Sequence, residues 1–421
     1  LSIVTSQRIV IIGAGISGLS AAWLLQRTHQ VILLEKEARL GGHTHTHERD
    51  DPSAPGGRLA LDTGFLVHND RTYPLLIRLF NELGVERLDS DMSFGVTSRR
   101  PDFEYSTRNL NGLFAQRRNL WRPAHYRFVA EILRFNRIAT QSLSHPAQFT
   151  TLGDFLDAHN FRGEFLDRFL FPMASAVWSA ATSTLRAFPA ETLIRFFYNH
   201  GILSVTDHPT WKVVRGGSSR YIDRMRETST FEVRTGCAPV RIVRIPDGVR
   251  VDLGSGEVLL ADHVVFACHG DEVLPLLADA TPAEQRVLSA FRTSVNETWL
   301  HTDRTFLPRR QAAGASWNAL LGERDDACLT YDLNRLQRLQ STTQYCVTLN
   351  PPRPIDDRHV IAHMTYRHPL YTHAAIEAQQ RWHEISGVHR AHFCGAYWFY
   401  GFHEDGLRSA VRVAAHLGVT W

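Results

Sequence analysis

The sequence predicts an α/β fold in two domains: a discontinuous α/β domain assembled from residues 1–70, 212–272 and 385–421, and a mixed α+β domain from residues 71–211 and 273–384. Three observations predict it. The chain opens on a strand, a glycine turn, a helix and a second strand; a β-rich stretch returns in the middle of the chain after a long helical one; a last strand and helix close it. At 421 residues, 43% hydrophobic and 21% charged, the chain is long enough to bury two cores and too apolar to be disordered.

Taken in order, Arg8–Ile12 reads as a buried strand, Gly13, Gly15 and Gly18 follow at once, and Leu19–Arg27 has helical apolar spacing. Val31–Leu34 is a second strand that ends in Glu35, completing a βαβ unit. Asp50–Gly57, rich in Asp, Pro and Gly, is a loop, and Leu59–Val67 returns extended. From Tyr73 to Asn199 the pattern is mostly helical. Within it Ala124–Ala139, started after Pro123, places Phe128, Ile132, Phe135 and Ala139 on one face and Arg127, Glu131, Arg134 and Arg137 on another. Glu232–Thr235, Val240–Ile245, Val249–Leu253 and His263–Ala267 are short strands punctuated by Asp247, Gly248, Gly254 and Gly256. Runs at Thr298–His301, Leu329–Asp332 and Tyr345–Leu349 predict a sheet in the second domain, and His392–Gly395 and Gly406–Leu417 a final strand and helix.

Composition excludes several functions. A net charge of +3 implies no large basic surface for nucleic acid, though it leaves room for a local patch. Of 46 basic residues only Lys36 and Lys212 are lysine, which leaves almost no Schiff-base former. The five cysteines, Cys237, Cys268, Cys328, Cys346 and Cys394, are scattered and form no CxxC, as expected in the cytoplasm without disulfides. No apolar run approaches the roughly 18 residues that span a bilayer, so membrane contact, if any, is peripheral and at the inner face. His43, His45 and His47 alternate and on a strand would share a face, but no carboxylate or cysteine completes a ligand set, so no metal is expected.

The first turn carries the strongest chemistry. Gly13 permits the bend, Gly15 lets backbone amides reach a pyrophosphate, and Gly18 packs the helix on the strand, with Ile16 and Ser17 between them at the positive end of the helix. Glu35 follows at the spacing at which a carboxylate meets a ribose diol, and an acid there disfavours a 2′-phosphate. NAD and FAD share this fingerprint. What separates them is the sequel: Glu35 and Lys36, then Arg39, Gly41 and Gly42, with His43 and Thr44, resembles the glycine doublet of the flavin amine oxidase and phytoene desaturase superfamily. Further stretches are similar in the same order. Arg215–Gly217 resembles a second glycine pair, Val240 stands where a backbone meets adenine, and Gly395, Gly406, Leu407 and Ala410 resemble the C-terminal motif that approaches the flavin's pyrimidine edge. The resemblance implies FAD, a Rossmann-like fold of the GR2 type, and passage of Gly64, Phe65, Leu66 and Val67 beside the isoalloxazine.

The whole chain resembles one bacterial branch of that superfamily through Gly41–Thr46 (GGHTHT), Asp62–Pro74 (DTGFLVHNDRTYP), Gln116–Asn119 (QRRN) and Gly395–Arg408 (GAYWFYGFHEDGLR). Similar sequence forms the N-terminal part of plant cyclopropane fatty acid synthases, and the branch is associated with cyclopropane-type and methylated fatty acids. It implies lipid acyl chains as substrates without identifying a reaction; for such a substrate the expected chemistry is oxidation or desaturation by hydride transfer to flavin N5. Two alternatives stand beside it: a flavin amine oxidase producing imine and hydrogen peroxide, and a non-catalytic flavin-binding partner of a lipid methyltransferase. Lys212, the lysine nearest in placement to the one that amine oxidases use near N5, precedes a glycine pair and is not expected to take that role. The acid/base candidates are His68, His403 and Glu404, each of which has a bland reading as a local hydrogen-bonding group.

Overall fold

The computed structural model describes residues 5–99, 102–144, 149–178, 182–322 and 328–421. One sheet is five-stranded and parallel, in the order Glu232–Arg234, Gln30–Leu34, Arg8–Ile12, His263–Phe266, Ala391–Phe393. Its central strand is sealed on both faces, which is why it reads as an unbroken apolar run: Ile9, Val10 and Ile11 are fully buried. The helices Ile16–Leu25 and His403–His416, from opposite ends of the chain, pack on each other. An antiparallel sheet of Pro239–Ile245, Gly248–Leu253 and Val258–Ala261 lies in the connection between the outer strand Glu232–Arg234 and the inner strand His263–Phe266.

The second large sheet has seven strands in the order Val360–Pro369, Thr293–His301, Cys346–Leu349, Cys328–Asp332, Trp317–Leu321, Phe94–Arg99, Asp102–Ser106. All its pairings are antiparallel except that of Trp317–Leu321 with Phe94–Arg99. Helices Pro123–Ser142, Leu152–Ala158, Phe171–Trp178 and Ala190–Asn199 accompany it. The buried apolar side chains form two clusters, one around each large sheet.

Several expectations are corrected. Residues 73–199 are mostly helical, as expected, but Phe94–Arg99 and Asp102–Ser106, which the sequence reading did not single out, form a hairpin edge of the seven-stranded sheet; nearly every side chain on them is buried, so no in-out alternation marks them. Positions 179–181 of that stretch lie outside the described residues. The first helix begins at Ile16 rather than Leu19, with Gly15 as its cap. The last begins at His403 rather than Gly406, because the Asp405 carboxylate accepts from the Phe402 N–H at 2.9 Å and fixes the start one turn earlier. Leu59–Val67 is only partly a strand: Arg58–Asp62 pairs with Thr46–Asp50, and Thr63–Val67 leaves the hairpin for the interior.

Candidate cofactor and substrate site

Every residue of the helix Ile16–Leu25 is buried, and its cap, Gly15, offers no side-chain acceptor to the first-turn N–H groups. A buried helix start without acceptors is costly unless something else supplies them. Space for that group exists, since a Cβ built on Gly15 meets nothing within 4 Å. Gly13, at φ +96°, turns the chain, and its N–H donates to the Leu34 carbonyl at 2.8 Å. Glu35 is buried beside the turn, where its carboxylate accepts from the Ala14 N–H at 2.7 Å and the Glu37 N–H at 2.9 Å. Gly41 donates to the Ala14 carbonyl at 2.8 Å, laying the glycine doublet against the turn. Arg39 holds that loop by donating to the carbonyls of Gly42 (2.7 Å) and Thr44 (3.2 Å). An uncapped buried helix start, facing open space between a glycine doublet and a buried acid, fits the pyrophosphate and ribose of FAD. Lys36, by contrast, is turned to an ion pair with Glu272 at 2.8 Å. At Val240 the strand register shifts from Pro239↔Leu253 to Arg241↔Asp252, which leaves the Val240 peptide out of the ladder while its side chain is 56% exposed. Gly395 donates to Ser409 Oγ at 2.8 Å, Leu407 and Ala410 are buried, and a Cβ on Gly406 would lie 2.6 Å from the Ile16 side chain, so the terminal helix closes against the phosphate turn.

From this end a cavity of about 800 Å³ runs outward, lined at its inner end by His43, Gly64–Val67, His368, Tyr371 and His403. The Phe65 N–H donates to the His43 carbonyl at 2.8 Å, and a Cβ on Gly64 would be 2.0 Å from that same oxygen, so only glycine lets these two segments touch. His403 stacks on Phe65 with ring centroids 3.7 Å apart, and its Nε2 meets Thr44 Oγ1 at 2.9 Å. Thr44 Oγ1 in turn meets Tyr221 Oη at 2.7 Å. Burial lowers the His403 imidazole to about 3, so it is neutral at physiological pH.

The three acid/base candidates do not converge. His68 is fully buried behind the lining, edge-on to Phe80 at 5.2 Å, and both ring nitrogens lack a hydrogen-bond partner among the described residues. Burial, with Arg87 and Lys212 nearby, lowers it to about 3. Glu404 faces away: its two oxygens accept from the Leu75 and Leu76 N–H groups at 3.0 and 2.9 Å and cap the helix Pro74–Glu82, bordering a separate cleft with Arg71 and Arg408. Lys212 lies across the strand pair from His68 and donates to Asp89 at 2.7 Å, outside the cavity lining.

Sequence reasoning named His43 but missed the groups that converge on it. The His43 ring lies 5.2 Å from His368 and 5.1 Å from Tyr366, and its Nε2 has no partner among the described residues. Asn296 Nδ2 donates to His368 Nδ1 at 2.8 Å, which places the proton of the neutral ring on Nε2. Asp62 ties the halves together, accepting from the Ser218 N–H and Oγ at 2.9 and 2.8 Å and from Gln337 Nε2 at 3.0 Å; burial raises it to about 6. His45 and His47 pair with each other, rings 4.1 Å apart, while His43 turns to His368, so the alternating triplet is divided. No spacing in the sequence links position 43 to position 368; only the fold does.

The lining is apolar and aromatic, with Phe94, Ile132, Phe169, Met173, Trp178 and Trp317 along its length. Among the described lining residues there is no aspartate, glutamate or lysine, and the one fixed charge is Arg108. Thr107, Arg108, Asn109, Leu110, Leu133, Val205 and His208 are the exposed residues of the described lining and mark the outer end.

Residues 16–360 match the family described as flavin containing amine oxidoreductase. A stretch of 45 residues is 56% identical to the L-amino acid oxidase of Cerastes cerastes, amounting to 10% of this chain and 9% of that protein. Another curated relative, the L-amino-acid oxidase of Sistrurus catenatus edwardsii, is 47% identical over 58 residues, 14% of this chain and 11% of its own. The fold resembles that of cyclohexylamine oxidase from Brevibacterium oxydans IH-35A, with a TM-score of 0.69 and 16% identity over 98% of both chains. It also resembles the CLA-producing fatty acid isomerase from P. acnes, with a TM-score of 0.67 and 14% identity over 96% of this chain and 97% of the other.

Proposed function

The chain belongs to the flavin-containing amine oxidoreductase family and is an FAD-dependent oxidoreductase; from that premise we propose that its substrate is a lipid acyl chain, oxidised or desaturated at the inner end of the apolar cavity. The observation that carries this reading is the lining. An ammonium ion brought into a dry site is best held by a carboxylate, and the described lining offers none, leaving only aromatic faces to attract it. An acyl chain needs only apolar surface, and gains about 25 cal/mol for each Å² it removes from water. Arg108 at the outer end, whose Nε pairs with Asp91 at 3.2 Å, has its remaining N–H groups to offer the carboxylate or phosphate at the head of such a chain. The fold neighbours include both a fatty acid isomerase and an amine oxidase, so the fold does not choose between them and the pocket chemistry must. Likeness to the bacterial branch associated with cyclopropane-type and methylated fatty acids supports the same choice.

Bound FAD supplies the hydride acceptor. The protein's part is to present the chain, exclude water and receive a proton. His403, neutral and held between Phe65 and Thr44, is the group assigned to the proton, with His368 the second candidate; Glu404 is reassigned to helix capping and His68 to packing behind the lining.

Anaerobic mixing of the yellow protein with amines, and separately with fatty acids and phospholipids carrying unsaturated, methylated or cyclopropane chains, tests the reading through bleaching of the flavin absorbance. Bleaching by a lipid and by no amine is expected. Bleaching by an amine alone makes the chain an amine oxidase. If lipids bleach it only when a lipid methyltransferase is present, the partner reading takes precedence.

A further inference from the structure

We propose that the surface around the outer end of the cavity docks on an anionic lipid bilayer, independently of which compound is oxidised. Residues 108–142 contain seven arginines and one acid, Glu131, a net of +6 within a chain whose total is +3. Six of those arginines are exposed; Arg108 and Arg118 pair with Asp91 and Asp102 from outside the segment, and the other four exposed arginines, Arg117, Arg122, Arg127 and Arg137, carry the excess charge. The same segment exposes large apolar side chains that soluble surfaces rarely gather: Trp121 is 87% exposed, Leu110 75%, Tyr126 and Leu133 50%, Leu120 43%.

These side chains belong to one patch. Tyr126 Oη donates to the Leu120 carbonyl at 3.0 Å, His125 Nε2 donates to the Leu113 carbonyl at 3.1 Å, and the Phe114 ring lies 5.6 Å from that of Tyr126. The helix Pro123–Ser142 does not lie apolar side down on a membrane, since Phe128, Phe135 and Ala139 face the protein core. What reaches outward is the turn Arg117–Trp121 before it, Leu110 on the short helix Leu110–Leu113, and Leu133 on its exposed edge. Leu110 and Leu133 also line the cavity, so the patch and the outer end are continuous. Tryptophan and leucine ringed by arginine are the groups that insert at a headgroup boundary, with the arginines drawn to anionic lipid. A chain leaving such a bilayer would pass from acyl interior to cavity without crossing water.

The test is sedimentation of the flavin-loaded protein with vesicles of phosphatidylcholine alone or with one third phosphatidylglycerol. Binding at least about tenfold tighter to the anionic vesicles is expected, weakening with salt. The double variant Arg117→Glu/Arg122→Glu should weaken it about tenfold or more, and Trp121→Ala several-fold, both with unchanged flavin content. Equal binding to both vesicles, or no binding, or indifference to these substitutions overturns the proposal. Binding is read without turnover, so its failure leaves the acyl-chain reading to stand on bleaching by detergent-dispersed lipid.

Discussion

Gly15 and Gly18 occupy the same buried turn, yet their side chains would meet different things. A methyl on Gly18 would lie 1.8 Å from the Gly13 carbonyl oxygen, a backbone atom that cannot yield, whereas one on Gly15 meets no protein atom within 4 Å. Gly18→Ala is therefore expected to destabilise the fold, by about 1–3 kcal/mol. Gly15→Ala should fold normally and lose FAD affinity by about tenfold or more, because its methyl occupies the pyrophosphate's approach; thermal melting of the apoprotein and flavin titration read the two effects separately. The adjacent pair His403 and Glu404 divides in the same way. Glu404 spends both oxygens on backbone N–H groups, so Glu404→Ala should cost about 1 kcal/mol of stability and Glu404→Gln should leave turnover within about threefold. His403→Ala should lower kcat by about a hundredfold or more if its imidazole handles the proton. A Glu404→Gln enzyme as slow as the His403 variant would return Glu404 to the chemistry.

The terminal helix His403–His416 begins on a buried acid, and this makes its start sensitive to pH. Burial, reinforced by Glu404, raises Asp405 to about 7. Its folded value lies above the unfolded one, so the folded state holds the proton more tightly, and the stability this contributes is present below about pH 4 and lost as pH rises through about 7. Asp405→Asn keeps an acceptor for the Phe402 N–H but cannot ionise. The melting temperature of Asp405→Asn minus that of the wild type should accordingly climb between pH 4 and 7; a flat difference would mean that Asp405 is ionised throughout. Elements of this kind were unevenly legible. The parallel strands Arg8–Ile12 and His263–Phe266 announced themselves because burial on both faces demands a continuous apolar run. The strand Val360–Pro369, which carries His368 into the cavity, did not, because only Tyr366 on it is buried and its histidines and arginine look like surface. The phosphate turn was legible because its geometry is local. The His43–His368 approach was not, because it depends on how two distant segments fold together.

At the scale of the whole molecule, the cavity belongs to neither sheet alone: its inner end is built from His43, Gly64–Val67 and His403, and its length from Ile132, Phe169 and Met173. Asp62 and Gln337 join the two sides through a buried hydrogen bond of 3.0 Å, and Arg108 stands at the other end of the lining from His43 and His403. On the acyl-chain reading proposed above, a path of this kind is expected to act as a ruler for chain length. Met173 lines this path and is only half-buried, so a larger side chain there can extend into open volume instead of forcing the backbone apart. Met173→Trp should shorten the ruler. Each methylene denied its place forfeits about 0.8 kcal/mol, so excluding two raises KM about tenfold. Chains short enough to end before Met173 would be unaffected. Flavin bleaching across a series of acyl lengths, with FAD content checked first, should show KM rising steeply beyond one length in the variant while the short members match the wild type. A uniform rise across the series would instead place Met173 in the packing of the helix Phe171–Trp178 and remove it from the path of the substrate.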